Sequence, residues 1–176
     1  MMAAYSPIKS HIEVHKFRVV AVIAVTVAAL LIQSFLPVRF PRARMLDLPL
    51  LITLYFGFSR RNPSTGLLLG MVIGLAQDSL GRTHLGLYGI SKTLTGYLAS
   101  SFGSRIDVEH PLARFGLTAA FYVFHQGAYA LTQRLLLAQP EAFFTTHLLI
   151  AAGVNAAVAV ALFPQASIAV HVRVIV

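Results

Sequence analysis

Six apolar segments, separated by short polar breaks, take up most of this 176-residue chain and leave no room for a sizeable soluble domain. They run from about Phe17 to Leu36, from Leu46 to Phe58, from Thr65 to Leu80, from about His84 to Phe102, from Leu112 to about Leu137, and from about Phe143 to Phe163. A helix needs about 20 predominantly apolar residues, with a range of about 17–25, to cross the hydrocarbon of a bilayer. The first, fourth, fifth and sixth segments reach that length. The second and third are short, so they either tilt less, cross a locally thinned bilayer or are shielded by the longer helices; the alternative is a re-entrant hairpin. The break between them, Ser59-Arg60-Arg61-Asn62-Pro63-Ser64, is too polar for deep hydrocarbon and reads as a surface turn. Its Asn or Ser beside a proline is also a helix-start signal for the third segment.

Composition agrees. The chain is 57% apolar and 11% charged, with mean hydropathy +0.74, whereas a soluble domain carries about 25% charged residues. The expected fold is all-α: one polytopic membrane domain over residues 1–176, built as a compact bundle of six transmembrane helices.

The formal charge is +8, from 14 Lys and Arg against 6 Asp and Glu. On a soluble chain that excess would suggest nucleic acid. Here the basic residues mostly flank apolar runs, where they set topology and meet anionic lipids, and no nucleic-acid partner is expected. With the N-terminus in the cytoplasm, Lys9, Lys16, Arg18, Arg60, Arg61, Arg105 and Arg173 fall inside, and Arg39, Arg42, Arg44 and Arg82 outside. Arg114 and Arg134 lie near opposite ends of the fifth segment and cancel. The balance places both termini in the cytoplasm, against the dissent of the cluster at Arg39, Arg42 and Arg44. The first run is longer than the roughly 7–15 residues of a cleavable signal core, and Pro37-Val38-Arg39-Phe40-Pro41 follows it. It reads as an uncleaved signal anchor. The absence of cysteine excludes disulfides, thiolate metal sites and cysteine catalysis.

Polar groups inside the apolar segments are the candidate functional features. Gly66, Gly70 and Gly74 recur every four residues and line one helix stripe that lets a neighbouring helix approach closely. That stripe serves either packing within the bundle or docking of a partner's transmembrane helix. Gln77 and Asp78 close the same helix, with Asp78 on the glycine face. Lys92 lies near the middle of the next segment, where a charge costs roughly 2.5–3.5 kcal/mol on insertion scales unless it faces protein or water. Gln77, Asp78 and Lys92 form a candidate polar patch. Asp78 either caps the turn at its helix end or forms a buried pair with Lys92 or Arg82. One clear acidic group in the spans is too few for a proton or ion pathway. His125 and Gln126, and His147 and Asn155, lie at membrane depth and are expected to hydrogen-bond across helices. His11 and His15 have helical metal-ligand spacing but no further ligands. No Ser-His-Asp set, HExxH, phosphate loop or catalytic carboxylate pair is present, so no enzyme activity, metal or cofactor is expected.

From Met45 to about Leu98 the chain resembles the MreD family, the integral membrane component of the bacterial rod-shape system. The resemblance is carried by MLDLPLL, RRNPSTG, GLLLGMVIGLAQDSL and HLGLYGISKTLTGYL, and above all by the run from Gly70 to Asp78 followed by Leu85 to Tyr97. The first, fifth and sixth segments match in length and hydrophobicity. The resemblance implies a non-catalytic role beside MreC, a bitopic membrane protein, and the actin-like MreB filament, in support of a SEDS-type glycosyltransferase and a class B penicillin-binding protein that make peptidoglycan. It implies a fold similar to the substrate-binding subunits of energy-coupling-factor vitamin transporters. It also places weight on Asp47, Pro49, Gly70, Gly74, Gln77, Asp78, Gly86 and Lys92. Pro49 follows Asp47 by two residues, where a typical member has the proline directly before the aspartate.

Two readings follow. One is a membrane scaffold of the elongation complex in the bacterial inner membrane, binding an MreC-like partner. The other is a transporter subunit that captures a vitamin-like molecule, for which Tyr122, His125, Gln126 and Tyr129 are candidate ligand groups. The alanine pattern by which such subunits dock is incomplete in the first segment, at Ala24, Ala28 and Ala29, and complete in the sixth, at Ala151, Ala152 and Ala156.

Overall fold

The computed structural model describes residues 16–17, 19–60, 62–81, 83–103, 110–138 and 146–172. Among these residues six α-helices occupy the six apolar segments: α1 (Val19–Arg39), α2 (Leu48–Arg60), α3 (Pro63–Gly81), α4 (Leu87–Gly103), α5 (Pro111–Leu137) and α6 (Thr146–Val170). A 3-10 turn, Pro41–Met45, joins α1 to α2. The backbone of Lys16–Phe17 pairs with His171–Val172, so the chain enters α1 beside its exit from α6.

The helix starts follow from the residues before them. The Asn62 side chain accepts from the amides of Ser64 and Thr65 at 3.1 and 3.3 Å, with Pro63 as the first helical residue. At α5, His110 Nδ1 accepts from the Leu112 amide, again with a proline at the start. Such caps satisfy amides that an α-helix leaves unpaired in its first turn. Serine and threonine inside the helices bond back to the carbonyl four residues earlier, as Ser91 does to Leu87 and Thr95 to Ser91. That bond removes the cost of a bare hydroxyl among apolar neighbours.

The short helix α2 is the centre of the bundle. Its 13 residues rise only about 20 Å at 1.5 Å each, yet nine of them, Pro49 to Leu51 and Thr53 to Phe58, are buried. Edge-to-face rings fix it laterally: Tyr55 on Phe163 of α6 and Phe58 on Phe121 of α5, each with centroids 5.5 Å apart. The longer helices thus shield α2.

Among the described residues, two helices are long and apolar enough to cross a membrane on length and composition, α1 over Val20–Arg39 and α6 over Thr146–Pro164. The fourth and fifth segments, expected to be long enough to span, fall short on that measure. The helical part of α4 has 17 residues, and its buried Ser91, Lys92, Thr95 and Ser100 lower its hydropathy; α5 carries His125, Gln126, Gln133 and two arginines. Of these groups Ser91, Lys92, Thr95, Ser100, His125 and Gln133 turn inward, Gln126 and Arg114 are half-buried, and Arg134 is exposed.

Candidate functional site

The stripe Gly66–Gly70–Gly74 is buried against α4. A Cβ on Gly70 would strike the Lys92 carbonyl, one on Gly74 the Tyr88 carbonyl, and Gly66 and Gly96 each face the other's carbonyl. The backbones of α3 and α4 therefore touch through their glycines in an antiparallel register. This face is filled by the protein's own helix, so it is not an open surface for a partner helix.

That register also decides where the charges go. Asp78 lies at the end of α3, opposite the beginning of α4, and is fully buried. Its Oδ2 accepts from the amides of Gly86 (2.9 Å) and Gly89 (3.1 Å), and its Oδ1 from the Tyr88 amide (3.1 Å) and the Thr83 hydroxyl (3.0 Å). A carboxylate from one helix thus caps the start of the next, where the unpaired amides carry partial positive charge. Gly86 makes the turn possible with φ +103°, a conformation that side-chain-bearing residues rarely adopt. Of the two alternatives for Asp78, the cap at the helix end is the one formed, and no hydrogen bond joins it to Lys92, because backbone amides take up the carboxylate. Arg82, its other candidate partner, lies outside the described residues, as do His11 and His15. Gln77 shares no hydrogen bond with Asp78 or Lys92, and its buried Oε1 has no partner among the described residues. The three residues do not form one patch.

Lys92 finds its counter-charge 45 positions away. Its Nζ donates to Asp47 Oδ2 at 2.7 Å, and both groups are buried. Asp47 stands just before α2, where its Oδ1 accepts from the Leu50 amide at 2.9 Å. One carboxylate therefore caps a helix with one oxygen and neutralises an ammonium with the other. Pro49 sits in the first turn of α2, where a proline leaves no amide unpaired, and its carbonyl accepts from the Thr53 hydroxyl. His125 Nε2 of α5 lies 3.5 Å from Lys92 Nζ, and the Tyr88 ring, stacked on the His125 ring, faces the ammonium at 5.2 Å. Lys92 can only donate, so a bond between them requires Nε2 as the acceptor; Nδ1 of His125 is buried without a partner among the described residues.

Two amide side chains hold the non-helical connection between α1 and α2. Gln33 of α1 donates to the Leu46 carbonyl at 2.8 Å and accepts from the Leu48 amide at 3.1 Å. Asn155 of α6 accepts from the Asp47 amide at 2.9 Å and donates to the carbonyls of Met45 (2.7 Å) and Ala151 (2.8 Å). Irregular backbone within an apolar bundle survives only when its polar groups are satisfied in this way. Ala151, Ala152 and Ala156 line the same inward face of α6 and are buried. His125 and Asn155 act across helices, as their depth in the sequence suggested, whereas Gln126 donates to the Tyr122 hydroxyl within α5 and His147 is exposed. Asp47, on which the family resemblance placed weight, was not named from the sequence as the partner of Lys92.

Chemically, this is a closed lock. A compensated ion pair, a histidine and two amides join α1, α2, α4, α5 and α6. Among the described residues, no group of three or more His, Asp or Glu comes together as a metal site.

A family model described as rod shape-determining protein MreD matches residues 14–168, nearly the whole chain. No curated protein and no solved structure matches it.

Proposed function

The chain belongs to the MreD family of rod shape-determining proteins, and from that premise we propose that it is a non-catalytic membrane scaffold of the bacterial elongation complex. In this reading it lies in the inner membrane with six spans and both termini in the cytoplasm. It binds an MreC-like bitopic membrane protein, and through the complex it supports an MreB filament, a SEDS glycosyltransferase and a class B penicillin-binding protein in making peptidoglycan.

The observation that carries this reading is the inward, paired polar core. Lys92, Asp47, Asp78 and Asn155 each have their bonding groups taken up inside the bundle, while the outward face of α3 offers Leu68, Met71, Val72 and Leu75. Side chains committed to helix–helix contacts hold a shape; they are not free to turn over or release a substrate. Because α4 fills the glycine stripe, partner contacts fall on other helix faces.

The test is a mild-detergent pulldown of the tagged chain from its native cells, with mass spectrometry of proteins and small molecules. Recovery of a bitopic MreC-like protein with cell-wall synthases supports the scaffold. ABC ATPases together with a retained vitamin-like molecule would transfer the function to the transporter reading.

A further inference from the structure

At the end of α1 the chain turns through Arg39-Phe40-Pro41-Arg42-Ala43-Arg44, and all three arginines are exposed. Arg39 is the last residue of the α1 stretch long enough to cross a membrane, so the turn stands at the level where hydrocarbon gives way to headgroups. Apolar side chains are interleaved with the charges: Phe35, Val38 and Phe40 are 70%, 83% and 60% exposed. The turn is also well anchored. Its backbone bonds run from the Phe40 amide to the Leu36 carbonyl, from Ala43 to Phe40 and from Leu46 to Ala43, and Gln33 and Asn155 grip the residues just after it.

Among the described residues these charges have no internal counterpart. The carboxylates among the described residues are Asp47 and Asp78, the first committed to Lys92 and the Leu50 amide, the second to the start of α4. Three guanidinium groups on a fixed turn, at a membrane surface and between exposed aromatic and aliphatic side chains, have the chemistry of a phosphate-bearing amphiphile. Guanidinium binds phosphate oxygens through paired hydrogen bonds, and apolar side chains at that depth insert into the boundary of headgroup and acyl chain.

We infer that the turn from Arg39 to Arg44 binds the phosphate headgroup of an anionic phospholipid. The interleaved Val38 and Phe40 favour a lipid over free phosphate or an acidic polypeptide, neither of which brings acyl chains to cover them. This site rests on the membrane placement of α1 in the proposed function but not on the scaffold role.

The full chain, purified in mild detergent, is titrated with phosphatidylglycerol, phosphatidylcholine or inorganic phosphate, and bound lipid is counted by native mass spectrometry. Each basic group near an anionic surface adds about fivefold in affinity. The triple variant R39Q/R42Q/R44Q is therefore expected to lose about a hundredfold in phosphatidylglycerol binding, with phosphatidylcholine unchanged. If the triple variant fails to fold, R42Q alone on the exposed turn carries the same test with a loss of about fivefold. Equal binding of the two lipids by the native chain, or undiminished phosphatidylglycerol binding by the variant, overturns the inference. So does displacement of the lipid by inorganic phosphate at matching concentration, which would make this a simple anion site. Competition by a polyglutamate peptide without any lipid preference would assign the turn to an acidic polypeptide instead.

Discussion

Replacing Lys92 with methionine strips the buried Asp47 carboxylate of its counter-charge while keeping most of the side-chain volume. The pair is 2.7 Å long and closed to solvent, and removing one member of such a pair typically costs about 3–5 kcal/mol, because the other charge stays desolvated. Asp47→Asn falls toward the lower end, about 3 kcal/mol. The amide keeps an acceptor for the Leu50 N–H, and Lys92 retains His125 at 3.5 Å and the Tyr88 ring. Combining D47N with K92M removes both charges, and the double variant is expected within about 2 kcal/mol of the native chain. The singles should thus overshoot the double by about 4 kcal/mol or more when summed. The assay is reversible unfolding in mixed micelles of mild detergent and sodium dodecyl sulfate, followed by far-ultraviolet circular dichroism. Singles costing under about 1 kcal/mol, or summing to the double within about 0.5 kcal/mol, would refute the view that this pair locks the bundle.

Two further substitutions probe the other contacts. Gly70→Ala is expected to destabilise, because the new methyl meets the Lys92 carbonyl, while Gly116→Ala on α5 has open space and should gain up to about 1 kcal/mol from helix propensity; the same unfolding assay compares them, and equal effects would deny the close α3–α4 contact. Asp78→Ala strands the amides of Gly86, Tyr88 and Gly89 and should cost about 3 kcal/mol or more at about 1–3 kcal/mol per buried orphan, with Asp78→Asn milder; hydrogen exchange at the start of α4 reads the loss directly.

The helices were legible because each apolar run ends at a polar break, a capping residue or a proline: Asn62-Pro63 before α3 and His110-Pro111 before α5 are plain in the chain. The start of α4 was set three residues too early, at His84 rather than Leu87, since nothing local reveals that Asp78 reaches forward to cap it. The glycine spacing announced a close helix contact but not which helix would make it. Lys92 advertised a need for a partner, and Asp78 was its neighbour along the hairpin. The antiparallel register sets Lys92 opposite Gly70 and leaves Asp78 at the turn, where backbone amides claim it. The true partner, Asp47, comes from a connection whose place beside α4 depends on how α1, α2 and α6 pack together. That arrangement has no local signature.

The grip of Asn155 on the connection after α1 has a consequence for how the protein is made. Helices enter the membrane in the order of synthesis. When α4 is in place, Lys92 can already meet Asp47. The amide of Asp47 and the carbonyl of Met45 wait for α6, more than a hundred residues later. Until then the half-built bundle holds unsatisfied backbone at its centre, and arrival of the sixth helix is the event that seals it. Nascent chains stopped before Asn155 should therefore be open to quality-control proteases, and those stopped beyond it protected.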